Sequence, residues 1–207
     1  MAPRRARLSA SALAALTMFL AGCFTVEGTL DANGSGSLEL TYYLWPRRHV
    51  TVRGETERLS SEHVTVESLS SIEMTQVVAR VRFDDVTRIS TAEAFRGVAV
   101  TRTRKGGRER LHILIRYPLA PEAKETLDRW GPRTRGPRVA LTLAGRVIDA
   151  SPRAQVQGHR VVWQIPLEQY TRAEEITLTV RYTVPPEGTA TPPAGHTAAL
   201  TASLAWL

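Results

Sequence analysis

The sequence predicts an α+β fold: a mainly antiparallel β-sheet with two or three short helices, followed by a β-rich C-terminal half. Three observations support this class. Apolar and polar residues alternate with a period of two in most segments, clusters of Gly, Asn and Pro separate these segments, and only brief stretches carry helix-capping residues. With 207 residues, 43% of them hydrophobic, the chain is long enough to bury a core without disulfides.

The first 22 residues are typical of an export signal. Arg4, Arg5 and Arg7 precede a short apolar run over 12–20, and small residues lead to the only cysteine of the chain, Cys23. The sequence Leu20-Ala21-Gly22-Cys23 resembles the lipobox of bacterial lipoproteins. This resemblance implies cleavage before Cys23 and acylation of its thiol, which is the nucleophile towards the lipid donor. We therefore expect a cleaved signal peptide over 1–22, a domain over 23–184, and a Pro-rich linker with an apolar tail over 185–207.

Charge and cysteine content narrow the classes of function. The formal charge of +7 falls to +4 once the leader is removed, because the leader holds three arginines and no acidic residue. A single cysteine excludes an intrachain disulfide framework and a CxxC zinc site. The lipobox resemblance implies a lipid-anchored location outside the cytoplasm. If the source is Gram-negative, we expect the outer membrane, because no Asp, the inner-membrane retention signal, stands after Cys23. We expect no nucleic-acid partner, because the domain is expected to be exported and because aromatic residues do not interleave with the arginines.

The first half of the mature chain predicts a hairpin and a further half-buried strand. Residues 26–30 and 37–44 form the hairpin around the Asn- and Gly-rich turn at 31–36. Residues 74–86 alternate as a strand, with Val77, Ala79, Val81 and Phe83 on one side. The region over 47–72 is ambiguous, with helical character at 55–61 and strand alternation at 63–67. A short helix is expected at 90–95, before Gly97.

The second half predicts a clear hairpin, one helix and three strands. The hairpin covers residues 98–117, where Gly106 and Gly107 supply the positive φ angles of its turn. A helix follows at 121–130, with Pro121 in its first turn. The three strand candidates are 139–148, 155–165 and 175–184.

Three motifs together resemble the LppM-type family of bacterial envelope lipoproteins, whose function is largely unknown. They are the strand directly after Cys23, the turn with strand Asp31-Ala-Asn-Gly-Ser-Gly-Ser-Leu-Glu-Leu40, and the pattern Leu143-Ala-Gly-Arg-Val-Ile-Asp-Ala-Ser-Pro152 that leads to Val161-Val-Trp163. Ala144 stands where the family usually has Pro. The resemblance implies an α+β domain displayed outside the cytoplasmic membrane, and it implies no catalytic residue.

Candidate chemistry in the chain is sparse. Asp31, Asn33 and Ser35 have the spacing that opens an EF-hand calcium loop, but Tyr42 stands where the bidentate Glu belongs, so a hairpin turn explains the segment better. Asp84 and Asp85 are adjacent on a strand and would point to opposite faces. The histidines lack metal-ligand spacing. We therefore expect no metal, no cofactor and no catalytic residues, and hence no enzyme.

The basic hairpin is the remaining candidate site. Five basic residues around its turn are candidates for contact with an anionic surface, and the alternative is a solvated hairpin: Arg102, Arg104, Lys105, Arg108 and Arg110. The expected partners are the membrane, through the lipid anchor, and an anionic lipid, an envelope polymer or an envelope protein. The leading hypothesis is a lipid-anchored envelope protein with a non-enzymatic binding or structural role. The alternatives are a carrier of lipid or another amphiphile in a sheet-lined cavity, and an enzyme with scattered site residues.

Overall fold

The computed structural model describes residues 24–43, 51–72, 76–116, 136–151 and 153–184. These residues form eleven strands in two sheets, with a few short helices. The predicted α+β class with mainly antiparallel sheet is confirmed. Cys23, the leader, the helix expected at 121–130 and the tail over 185–207 lie outside the described residues.

The first sheet has seven strands in the spatial order β3-β4-β2-β1-β7-β10-β9. Its strands are β1 (Thr25–Leu30), β2 (Gly36–Tyr43), β3 (Val64–Ile72), β4 (Gln76–Phe83), β7 (Arg138–Leu143), β9 (Ala154–Gln157) and β10 (Arg160–Gln164). Every neighbouring pair is antiparallel except β1 with β7, which is parallel. β1 therefore joins the two halves of the chain in one sheet.

The second sheet has four antiparallel strands in the order β5-β6-β11-β8. They are β5 (Val98–Lys105), β6 (Arg108–Arg116), β8 (Val147–Ala150) and β11 (Glu175–Thr183). The predicted hairpin over 98–117 is confirmed as β5 and β6, and its turn residues Gly106 and Gly107 have φ angles of 58° and 70°. Such angles are open to glycine at no steric cost.

Short helices connect the strands. Helix α1 (Val52–Leu59) begins at Thr51, whose hydroxyl accepts a hydrogen bond of 3.1 Å from the Gly54 amide. Two 3₁₀ helices, Val86–Thr91 and Glu93–Phe95, occupy the region where a helix at 90–95 is expected. Helix α2 (Leu167–Arg172) has no counterpart among the sequence predictions.

The core lies between the two sheets, where apolar side chains from both inner faces meet. β4 shows the pattern that produces it: Val77, Ala79, Val81 and Phe83 are buried, while Arg80 and Arg82 are exposed. The predicted alternation of this strand is therefore confirmed.

Two strand predictions in the second half are wrong in their extent. Residues 139–148 form β7 and β8, which belong to different sheets, because the chain turns at Gly145. A Cβ atom at Gly145 would collide with the Thr183 carbonyl, so the turn packs directly on β11. Residues 155–165 form the hairpin of β9 and β10 around Gly158, whose φ is 61°.

No helix within the described ranges reaches the length and hydropathy that crossing a membrane requires.

Candidate functional site

An apolar cavity of about 100 Å³ lies between the two sheets. Its walls come from both inner faces and from the 3₁₀ segment. They include Val26, Leu38, Leu40, Phe83, Leu141, Ile89, Phe95, Val98, Val100, Leu111, Ile113, Ile115 and Leu178. An engineered apolar cavity of about 150 Å³ stays dry and binds benzene. The space between the sheets therefore suits a hydrocarbon segment and offers a polar group nothing to bind.

The cavity approaches solvent on the side of Val98 and Ile113, which are only partly buried although their neighbours Val100 and Ile115 are buried. Phe24, which precedes β1, also lines the cavity and packs edge-on against Tyr170 of α2, with 5.9 Å between ring centroids. Rigid strands thus hold most of the lining, and shorter helical segments complete it.

A buried charged cluster lies near the β5–β6 turn. Arg102 of β5 donates to Glu109 of β6 through Nε and Nη2, at 2.5 and 2.9 Å, and Nη2 also donates to the Ala32 carbonyl at 3.0 Å. The Tyr182 hydroxyl of β11 donates to the same carboxylate at 2.6 Å. Burial, followed by this hydrogen bond, raises the pKa of Tyr182. The cluster therefore joins the second sheet to the β1–β2 turn of the first.

A second cluster of the same composition anchors α1 to the first sheet. Tyr42 of β2 donates a hydrogen bond to Glu55, which is 1% exposed, and Arg58 Nη1 donates to both oxygens of that carboxylate at 3.1 and 2.8 Å. Burial raises the pKa of Tyr42 well above its usual range, and the Glu55 carboxylate adds to the effect. Both oxygens of this buried carboxylate are satisfied within the fold.

A wider groove of about 760 Å³ opens between α2 and the segment that links β8 to β9. Its lining mixes polar and apolar residues: Ser151, Arg153, Trp163, Gln164, Ile165, Pro166, Glu168, Gln169, Arg172, Ala173, Ile176, Thr177 and Leu178. Ligand sites in proteins commonly have volumes of about 300–1,000 Å³. The groove therefore has the size of a ligand site, whereas the apolar cavity alone has the size of a small hydrocarbon.

The five basic residues proposed for anionic contact lie on two different faces of the second sheet. Arg102 and Arg104 lie on the inner face of β5, and Arg102 donates a hydrogen bond to the buried Glu109. Arg108 and Arg110 alternate with the buried Glu109 and Leu111, so they lie on the outer face, opposite Lys105 and Thr103 of β5. The structure therefore brings together Lys105, Arg108 and Arg110 and separates them from Arg102.

The outer face of the first sheet holds a three-membered ion pair. Glu27 of β1 accepts from Arg138 of β7 at 2.5 Å and from Arg160 of β10 at 3.0 Å. The hydrogen bonds from Arg160 and Arg138 hold the pKa of Glu27 below its ordinary value. This group ties three neighbouring strands together across the parallel pair.

The turn over 31–36 is internally bonded, as the hairpin interpretation predicts. The Ser35 hydroxyl donates to Asn33 at 2.8 Å and to Asp31 at 3.2 Å, and Gly34 has a φ of 97°. The adjacent carboxylates of Asp84 and Asp85 have separate structural roles. Asp84 lies 3.1 Å from His63 Nδ1, and Asp85 accepts from the Thr87 amide at 2.9 Å at the start of the first 3₁₀ helix. The hydrogen bond with His63 lowers the pKa of Asp84.

Metal-ligating side chains do not converge in the part of the chain that the structure describes, where no group of three or more His, Cys, Asp or Glu could hold an ion.

Sequence reasoning missed the buried carboxylates and the groove. Glu109 sits at an inward position of an otherwise apolar alternation in β6, and that mismatch was the available signal. Glu55 lies three residues before Arg58, a helical spacing that favours an ion pair. Nothing local signals the groove, because its residues come from the segment that links β8 to β9 and from β10, α2 and β11.

Comparison with known proteins yields a structural likeness. No protein-family model matches the chain, and no curated protein matches it. The chain is similar in structure to the folded domain of LppM from Mycobacterium tuberculosis, solved by NMR, with 13% sequence identity and a TM-score of 0.46. The match covers 77% of this chain and 88% of that domain. A likeness at this level transfers no function.

Proposed function

We propose that this protein is a lipid-anchored protein of the bacterial cell envelope that holds the apolar part of an amphiphile between its two sheets and performs no catalysis. The observation that carries the proposal is the unfilled apolar cavity inside the core. The cavity is apolar because the inner residues of strands such as β4 and β11 are aliphatic or aromatic, whereas their outer residues are mostly polar.

The cavity has an energetic cost that a ligand would remove. An unfilled volume destabilises a fold by about 24 cal/mol per Å³, so 100 Å³ corresponds to about 2.4 kcal/mol. A hydrocarbon segment that enters gains about 0.8 kcal/mol for each buried methylene. A small number of methylenes thus offsets the cost of the empty space, which favours apolar binding over an empty core.

The lipobox supports the envelope location. Acyl chains on Cys23 would hold the domain at a membrane surface. The basic residues do not by themselves favour a nucleic acid as partner, although 25 of the 27 are arginine. A domain held at a membrane surface lies next to a source of amphiphiles.

A non-enzymatic role is supported by the state of the buried charged groups. Glu55 and Glu109 each accept from a tyrosine and an arginine inside the fold. Carboxylates held in this way stabilise the fold and have no position from which to act on a ligand in the apolar cavity.

The experiment compares two identical substitutions in the full chain. Val98→Phe adds a bulky ring at the partly buried edge of the cavity, whereas Val156→Phe adds the same ring on β9, where Val156 is exposed and lines neither this cavity nor the groove beside α2. Each protein is purified from membranes in a nonionic detergent, and native mass spectrometry measures the bound amphiphile.

We expect the wild type and Val156→Phe to retain a co-purifying amphiphile and Val98→Phe to lose at least most of it. Filling a cavity commonly stabilises a protein by about 0.5–2 kcal/mol, so thermal unfolding should show Val98→Phe to be no less stable than Val156→Phe. Equal lipid content in all three proteins, or none in any, would overturn the proposal.

A second candidate function has its own observation. Lys105, Arg108 and Arg110 lie exposed on the outer face of the second sheet, where Arg181 by contrast is paired with Asp149. Basic residues near an anionic membrane contribute about 1 kcal/mol each. The outer face of the hairpin therefore suits contact with anionic headgroups.

Hydrogen–deuterium exchange of the full chain in nanodiscs tests this contact. We expect anionic nanodiscs to protect the amides of β6 relative to zwitterionic ones, and high salt or Arg108→Gln/Arg110→Gln to abolish the difference. Identical exchange in both lipids at low salt would rule the contact out.

A further inference from the structure

We propose that the groove beside α2 binds the anionic headgroup of the same amphiphile whose apolar part occupies the cavity between the sheets. This inference rests on the proposed function, and it assigns to the ligand a negatively charged headgroup. It is carried by the position of the groove relative to the cavity and by an unpaired arginine in its lining.

The groove and the cavity share a wall. Leu178 of β11 lines both spaces, and it is the residue at which the polar groove and the apolar cavity meet. Ile165 and Ile176, which are buried, belong to the groove side of this wall. Leu178 is buried and separates the two spaces, so a molecule with its polar end in the groove and its apolar end in the cavity would pass this side chain.

The sizes of the two spaces agree with this division. The cavity, at about 100 Å³, takes only a hydrocarbon segment, whereas the groove, at about 760 Å³, has room for a headgroup and the first part of a chain. Its apolar inner residues change to polar ones towards the outside, where Gln164, Gln169 and Glu168 are exposed.

The charge of the groove lining favours an anion. Arg172 is paired with Glu168 at 2.8 Å, which leaves Arg153 as a cation that makes no ion pair or side-chain hydrogen bond with the residues that the structure describes. Arg153 also has a φ of 72°, the only positive φ among the described residues other than glycine. A side chain held in this backbone conformation costs stability that glycine would avoid, and the exposed Arg153 has no charged or hydrogen-bonding partner among the described residues to offset that cost.

An anionic headgroup would give Arg153 the partner it lacks. Guanidinium groups bind phosphate and carboxylate oxygens through two parallel hydrogen bonds. Ser151 is occupied by the Trp163 indole, which donates to its hydroxyl at 2.7 Å, and Gln164 donates to the carbonyls of Gly136 and Pro137. The charged contact therefore falls to Arg153.

The experiment uses the full chain in nonionic detergent and two lysophospholipids with the same acyl chain. Lysophosphatidylglycerol is anionic, lysophosphatidylcholine is zwitterionic, and inorganic phosphate alone is the third probe. Native mass spectrometry gives an apparent Kd for each with the wild type, Arg153→Gln, Arg153→Lys and the control Arg88→Gln. Arg88 is exposed and lies on the first 3₁₀ helix, outside the groove.

We expect the wild type to prefer the anionic lipid. Arg153→Gln should weaken lysophosphatidylglycerol about fivefold, the size of one partly exposed ion pair, and leave lysophosphatidylcholine unchanged. Arg153→Lys, which has the same backbone strain as the Gln variant, should keep most of the preference, and Arg88→Gln should match the wild type.

The outcomes separate this inference from the proposed function. If both lipids bind equally and Arg153→Gln changes neither, the headgroup assignment is wrong while the apolar cavity keeps its ligand. If phosphate alone binds as tightly as the anionic lipid and needs Arg153, the groove is a site for a free anion and the assignment is again wrong. If neither lipid binds, the proposed function fails, and this inference fails with it.

Discussion

Removal of the Arg102 side chain tests the buried charged cluster near the β5–β6 turn. In the wild type the guanidinium makes two hydrogen bonds to Glu109, at 2.5 and 2.9 Å, and one to the Ala32 carbonyl at 3.0 Å. The side chain of Glu109 is 1% exposed and that of Arg102 is 17% exposed. Arg102→Leu therefore leaves a buried carboxylate whose remaining side-chain donor is the Tyr182 hydroxyl.

The expected loss of stability is about 3 kcal/mol, at the lower end of the range of about 3–5 kcal/mol for breaking a buried pair by removing one partner. We take the lower end because Arg102 retains contact with solvent and because Tyr182 continues to donate. When Glu109 is already leucine, the same Arg102→Leu change should cost at most about 1 kcal/mol, since no buried charge is left behind. The coupling energy between the two positions should thus be about 2 kcal/mol.

Urea unfolding of the four proteins of this cycle, in nonionic detergent and followed by tryptophan fluorescence, measures the coupling. Arg181→Leu is the control, because Arg181 and Asp149 pair at 2.8 Å in the same sheet with both side chains about half exposed. Its cost should stay within about 0.5 kcal/mol. A coupling energy below about 0.5 kcal/mol between Arg102 and Glu109 would refute the reasoning.

Three further predictions concern the anchor, the outer ion pair and the β1–β2 turn. Cys23→Ser should abolish incorporation of an alkyne-labelled fatty acid and shift the protein out of the membrane fraction; continued membrane binding would assign the anchor to another segment. In the folded protein the pKa of Glu27 is lowered. The Glu27 carboxylate therefore contributes about 0.5 kcal/mol to the free energy of unfolding at pH values above its unfolded pKa of about 4.3. This contribution is lost as the pH falls through the folded pKa. The cost of Glu27→Gln in urea unfolding should therefore disappear in acid, and a cost that does not change with pH would contradict it. Gly34→Ala should lower the stability by about 2 kcal/mol, because the added Cβ would collide with the Arg102 guanidinium and the φ at this position is 97°. Gly106→Ala, where φ is positive but the surrounding space is open, should lower it less. Thermal unfolding compares the two variants, and equal losses would contradict the collision.

Local patterns predicted the elements whose stabilising contacts are close in sequence. The β5–β6 hairpin follows from alternation on both sides of Gly106 and Gly107, and the β1–β2 turn follows from its Asn and Gly residues. The buried face of β4 follows from a period of two alone. In each case the residues that determine the structure are neighbours along the chain.

Local patterns failed where the destination of a segment depends on distant residues. β7 and β8 look like one strand, but β7 pairs with β1 and β10 while β8 pairs with β11. Arg102 looks like a surface residue, but the buried Glu109 and the Ala32 carbonyl hold it inward. Ala32 is 70 residues from Arg102 in the sequence, so no local pattern could predict this contact.

By itself, the sequence determined the fold class and the main turns, because alternation, glycine and proline act over a few residues. Its segment Leu20-Ala21-Gly22-Cys23, which resembles a lipobox, predicts a place in the cell envelope. The tertiary structure decided what lies between the sheets: an apolar cavity, two buried tyrosine–glutamate–arginine clusters and a polar groove that meets the cavity at Leu178. These features depend on strands distant in sequence, because a cavity is the volume that side chains from separate elements fail to fill.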